Sequence, residues 1–151
     1  MEPEGVAYAE AIRALDQQRT ELEHVRSRAG TLLAAATVVT SLFVGLTVED
    51  KEGFRCVQGV AVALFCVAAA SSLLVQWPWM AWKWIPPAEE LIRDYVDGEN
   101  RVEGTAMQRD LAVHLGRNLA ENQVRLDRLY YLLMAGIAGL TFEVVFWLLS
   151  I

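Results

Sequence analysis

Ala29-Gly-Thr-Leu-Leu-Ala-Ala-Ala-Thr-Val-Val-Thr-Ser-Leu-Phe-Val-Gly-Leu-Thr-Val48 carries no charged side chain. As a helix of about 20 residues it is ~30 Å long, the thickness of a bilayer's hydrocarbon core. Its polar relief is limited to Ser and Thr. A helix of that length in a soluble bundle, the competing reading, normally shows a polar face. Two more stretches read the same way. Cys56 to Trp82 is uncharged, and its first 20 or so residues suffice to span. Leu129 to Ile151 is apolar with one charge, Glu143.

The expected architecture is an all-α integral membrane protein with three transmembrane helices and cytoplasmic helical extensions. Residues 1–28 form an N-terminal cytoplasmic helix, 29–48 the first span, 49–55 an external turn and 56–79 the second span. Residues 80–128 form a cytoplasmic helical segment and 129–151 the third span. The first span reads as an uncleaved anchor, because the segment before it is long and rich in acids, unlike a signal peptide's n-region.

Composition agrees. The 151 residues are 54% apolar and 21% charged, against about 45–50% apolar in soluble domains. The net charge of −6 offers no basic face to a nucleic-acid polymer. Cys56 and Cys66 fall in one expected helix, ~15 Å apart along its axis, beyond disulfide reach. No spacing suggests a metal site. No nucleophile motif, phosphate loop or paired carboxylate stands out, and His24 and His114 are isolated in sequence, so no enzymatic activity and no cofactor are expected.

Orientation follows from lysine and arginine. Arg13, Arg19, Arg26 and Arg28 precede the first span; Lys83, Arg93, Arg101, Arg109, Arg117, Arg125 and Arg128 lie between the second and third. Only Lys51 and Arg55 occupy the 49–55 turn. Eleven against two places the N-terminus and the 83–128 segment in the cytoplasm. Trp77-Pro-Trp-Met-Ala-Trp-Lys-Trp84 reads as an aromatic belt at the membrane interface, with a stacking platform for a base as the alternative. Lys83 can snorkel there, and Pro78, Pro86 and Pro87 end or kink the span.

The long helices carry seams. Tyr8, Ile12, Leu15, Leu22 and Ala29 fall on a 4-3 spacing that also includes Arg19 and Arg26. From about Thr105 no helix breaker interrupts the chain. Leu115, Leu119, Asn122, Leu126, Leu129, Leu133, Gly136, Leu140, Glu143 and Trp147 recur at intervals of four and three, a coiled-coil seam. Asn122 and Glu143 are candidate assembly residues on it. A lone Asn in such a seam sets register or oligomer number. The seam is open to packing on the chain's own N-terminal helix, on other copies, or both. A carboxylate facing hydrocarbon costs ~2.5 kcal/mol or more. Glu143 should therefore face helices, water or a subunit axis, or be protonated. Thr37, Thr40 and Ser41 are its candidate hydrogen-bond partners. Small residues crowd all three spans and favour close helix contact, so a homo-oligomer in the bilayer is expected.

Two junctions carry a family resemblance. Arg26-Ser-Arg28-Ala29-Gly30-Thr31-Leu32-Leu33, where a polar helix enters the first span, resembles the same junction in bacterial Pycsar antiphage effectors of the membrane type. His114-Leu115-Gly116-Arg117-Asn118-Leu119 through Leu129-Tyr130-Tyr131 is similar to that family's cytoplasmic Leu- and Asn-rich helix entering the final span. The chain departs from the family at the final junction, where Arg125 and Arg128 stand in for a basic residue expected near Val124. The resemblance implies an effector in the bacterial inner membrane that senses cyclic CMP or cyclic UMP and impairs that membrane. A cyclic nucleotide's phosphate needs arginine or helix N-terminal donors. The candidates are Arg19, Arg26, Arg93, Arg109 and Arg117, with Asn118 or Asn122 to read the base. The rival class is a structural or accessory subunit of a transfer or transport complex.

Overall fold

A computed structural model describes residues 3–47, 56–86, 88–95 and 103–150. The expected turn at 49–55 lies outside the described residues, as do Lys51, Arg55 and Arg101. Every regular element among the described residues is an α-helix. These are α1 (Pro3–Thr47), α2 (Cys56–Gln76), α3 (Ala88–Tyr95) and α4 (Gly104–Ser150). The protein is all-helical, and α1, α2 and α4 are long and apolar enough to cross a membrane.

Helix α1 starts on Pro3, whose missing N–H costs nothing at a first-turn position, with Glu4 favourably placed against the N-terminal dipole. It continues through the polar-to-apolar change at Arg28–Ala29 without a break. Helix α2 stops at Gln76 because Pro78 pushes the residue before it out of the helical region. The Trp77 amide still closes a bond to the Leu73 carbonyl at 2.9 Å. Helix α4 also runs unbroken from its polar half into its apolar half.

The chain divides into two compact units, Met1–Leu22 with Met80–Leu126, and Glu23–Trp79 with Asp127–Ile151. In the second, small or polar residues (Ala29, Ala36, Ala61, Ala68, Ser71 and Ser72) share the interior with Leu129, Leu133, Val75 and Trp147. The outside is large and apolar, with Val38, Leu42, Leu73, Met134, Phe142 and Leu149 exposed. Less than a third of each apolar window is buried within the chain. Water would penalise such a surface; lipid matches it, and small interior residues let helix backbones approach. Gly139 shows the closeness: a Cβ there would stand 3.2 Å from the Leu64 carbonyl oxygen and 3.4 Å from the Ala68 amide nitrogen. Several hydroxyls in these helices turn back onto their own backbone. Thr37 donates to Leu33 O at 2.8 Å, Ser72 to Ala68 O at 2.8 Å and Thr141 to Ile137 O at 2.8 Å. That is how a hydroxyl is satisfied where no water reaches.

In the first unit, α1 contributes buried Leu15, Gln18 and Leu22, and α4 contributes Leu111, Leu115, Asn118, Asn122 and Leu126. Helix α3 is tied to α4 by the Tyr95 hydroxyl, which donates to Asp110 Oδ2.

Both seams differ from expectation by single positions. On α1 the buried series is Leu15, Gln18, Leu22, Val25, Ala29, Leu32, Ala36. Arg19 is exposed and Arg26 half-buried. Gln18 and Val25 take the places expected for the two arginines, which leaves the Arg19 guanidinium, costly to bury, in solvent. On α4, Asn118 and Gly139 are buried where Leu119 and Leu140 were expected. The Asn118 amide finds a carbonyl there, and Gly139 admits the α2 backbone.

Candidate functional site

Two polar constellations and a set of arginines are the functional candidates, and each is placed by the seams above. The first constellation lies in the apolar half of α4. Glu143 is fully buried on α4. Its Oε1 accepts from the Thr40 hydroxyl of α1 and, at 3.3 Å, from Trp147 Nε1 one turn further along α4. The Trp147 indole is itself fixed by stacking on Phe43, with centroids 5.6 Å apart and planes 4° from parallel. Of the three hydroxyls that the sequence offers to Glu143, Thr40 is the one that meets it. Oε2 is buried with no hydrogen-bond partner among the described residues.

The second constellation lies in the first unit. Residues 81–86 have no regular secondary structure, so their peptide groups need partners from elsewhere. Asn122, fully buried, supplies two. Its Nδ2 donates to the Lys83 carbonyl at 2.7 Å and its Oδ1 accepts from the Lys83 amide at 3.1 Å. Arg125 Nη1 adds a third bond to Asn122 Oδ1 at 3.1 Å. Asn118 Nδ2 donates to the Trp84 carbonyl at 3.4 Å. Outside this amide clamp, Lys83 Nζ pairs with Glu121 at 2.9 Å, and Arg125 approaches the same carboxylate at 3.6 Å. The hydrogen bond from Lys83, helped by the charges of Lys83, Arg125 and Arg117, holds the Glu121 carboxyl below the ordinary carboxylate range. Its contribution is therefore present above the unfolded carboxylate pKa of about 4.3 and is lost as pH falls through the lowered value.

Both ends of the Asn122 amide are thus used within the chain. Of the packings that the sequence leaves open for the α4 seam, this residue takes the intramolecular one. A further amide, Gln18 on α1, was missed in sequence. It is buried, and its Nε2 donates to Leu119 O and to Gln123 Oε1, each at 3.0 Å. Its place midway between Leu15 and Leu22 was the available signal.

Arg19, Arg93, Arg109, Arg117 and Asn118 fall in the first unit, and Arg26 in the second. Arg19, Arg93, Arg109 and Arg117 are exposed. Arg109 lines two open grooves of about 370 and 410 Å³, shared with Glu4 and Val113. Arg26 differs: its Nε is buried and has no hydrogen-bond partner among the described residues. Asn118 already spends one amide N–H on the Trp84 carbonyl.

The tryptophans divide. Trp77 and Trp79 are exposed, with Trp79 Nε1 donating to the Leu74 carbonyl at 2.9 Å. Trp82 and Trp84 stack on each other, centroids 5.8 Å apart. Cys56 and Cys66 are exposed free thiols. No group of three His, Cys, Asp or Glu side chains able to hold a metal occurs among the described residues. Comparison with protein-family models, with curated proteins and with solved structures finds no match to this chain.

Proposed function

We propose that this chain is a multi-pass membrane effector of the Pycsar antiphage type, oriented with its N-terminus in the cytoplasm. It senses a cyclic pyrimidine mononucleotide and impairs the bacterial inner membrane as an oligomer. The observation that carries the reading is Arg26. It opens the junction through which the chain resembles that family, and its buried Nε–H lacks a partner. A buried unpaired donor is costly, about 1–3 kcal/mol or more when charged, and a phosphate oxygen would satisfy it. The unbroken helices through both quoted junctions support the same reading, because α1 and α4 can each carry a cytoplasmic event into an apolar half. Glu143 supplies a polar point within the third apolar segment.

A thermal-shift series on detergent-purified protein tests the sensing step. Cyclic CMP or cyclic UMP should raise the Tm, and cyclic AMP should not. Changing Arg26→Ala and Arg117→Ala together should abolish the shift. No response to either pyrimidine nucleotide would remove the sensing function. An undiminished shift in the double variant would remove these two arginines from the site.

A further inference from the structure

The seam of α4 that suggested assembly is consumed inside the chain, which leaves the opposite face of the same helix. At 100° per residue, Val113, Gly116, Ala120 and Val124 cluster on that opposite side. All four are exposed, Val113 at 59% and Val124 at 53%. At Gly116 an added Cβ would meet nothing within 4 Å. This stretch belongs to the unit that contains the charged segment, so lipid does not explain its apolar face.

The face leads into the groove of about 410 Å³ lined by Pro3, Glu4, Ala7, Arg109, Ala112 and Val113. Its floor is apolar, and its two charges are of opposite sign on different helices, Glu4 on α1 and Arg109 on α4. Neither is in an ion pair among the described residues. An occupant of a single charge sign satisfies one of them and opposes the other. A second copy turned about a twofold axis satisfies both, because its own Glu4 meets Arg109 and its own Arg109 meets Glu4. Such a contact uses one self-complementary patch twice.

We infer that this groove and the outward face of α4 form a twofold interface between two copies of the chain, with Val113 near the axis and Glu4–Arg109 pairs on either side. The inference rests on the oligomeric part of the function proposed above and names its surface. Copies inserted the same way in a bilayer are related by an axis along its normal, which brings equal levels of α4 together. Val113 therefore meets its own counterpart.

The full chain, in detergent and with Cys56→Ser and Cys66→Ser, tests this. Val113→Cys should oxidise to a disulfide dimer. His114→Cys, also exposed but on another side of the helix, should not. In native mass spectrometry, Arg109→Glu alone and Glu4→Arg alone should each shift the protein toward monomer, and the two together should restore the dimer. Arg109, Val113 and His114 are exposed and Glu4 is half-buried, and none belongs to the buried core, so the substitutions leave that core intact. Single reversals that keep the oligomer unchanged would overturn the interface. So would a Val113→Cys protein that couples no faster than the His114→Cys control, or that couples to a different protein. The cyclic-nucleotide thermal shift is read on the unsubstituted protein and on Glu4→Arg, because Arg109 is itself a candidate phosphate donor. A monomeric Glu4→Arg protein that still responds keeps the sensing function and separates it from assembly, whereas an unsubstituted dimer with no response supports the interface and removes the sensing function.

Discussion

Changing Asn122→Ala should lower the stability of the detergent-solubilised protein by about 2–4 kcal/mol, with Trp82 and Trp84 fluorescence shifting toward that of a hydrated indole. Asn122 is fully buried and makes three hydrogen bonds, two of them to the backbone of Lys83. Alanine leaves that amide and carbonyl without partners, at about 1–3 kcal/mol for each polar group left buried, and opens space in the seam. Because 81–86 has no helical bonds of its own, it is this segment that should loosen. His114→Ala, on an exposed side of α4, should change stability by no more than about 0.5 kcal/mol. An Asn122→Ala protein as stable as His114→Ala would mean that the clamp contributes nothing.

The second large effect is expected at Gly139. A leucine there must displace backbone, since the nearest atoms are the Leu64 carbonyl oxygen at 3.2 Å and the Ala68 amide nitrogen at 3.4 Å. Overpacking a filled core costs about 1–3 kcal/mol, and a rigid helix backbone gives less than a side chain does, so the loss should reach 3 kcal/mol or more. Gly136→Ala is the control. Its new Cβ would meet Leu32 Cδ2 at 2.8 Å and Ser71 Oγ at 3.2 Å. The first is the end of a flexible side chain, which can rotate away. Chemical denaturation of the two variants should separate them clearly. Equal losses would contradict the close α2–α4 contact.

Much of this architecture is legible in sequence because a bilayer imposes a length and a composition, and three apolar stretches meet both. The heptad spacing of α4 was legible too, from Leu115 to Trp147. What spacing does not settle is the choice between neighbours. Leu119 and Asn118 lie 100° apart on a helix, and hydrophobicity favours the leucine. The asparagine is inside because the Trp84 carbonyl waits for it. Arg19 and Arg26 fit the α1 seam by number, yet the buried positions are Gln18 and Val25, with Arg19 in solvent and Arg26 half-buried. The Asn122 clamp was hidden for a related reason. Its partner is the backbone of Lys83, and a peptide group leaves no mark in a side-chain pattern. Glu143 and Thr40 were readable because a lone carboxylate in an apolar run demands a donor and few were on offer.

Cysteine accessibility in intact cells tests the three-span account most directly. In a protein with Cys56→Ser and Cys66→Ser, Asp50→Cys should react with a membrane-impermeant maleimide, while Asp97→Cys should react only after the cells are opened. Equal labelling of the two in intact cells would contradict the topology, and with it the placement of the arginine-rich segment in the cytoplasm.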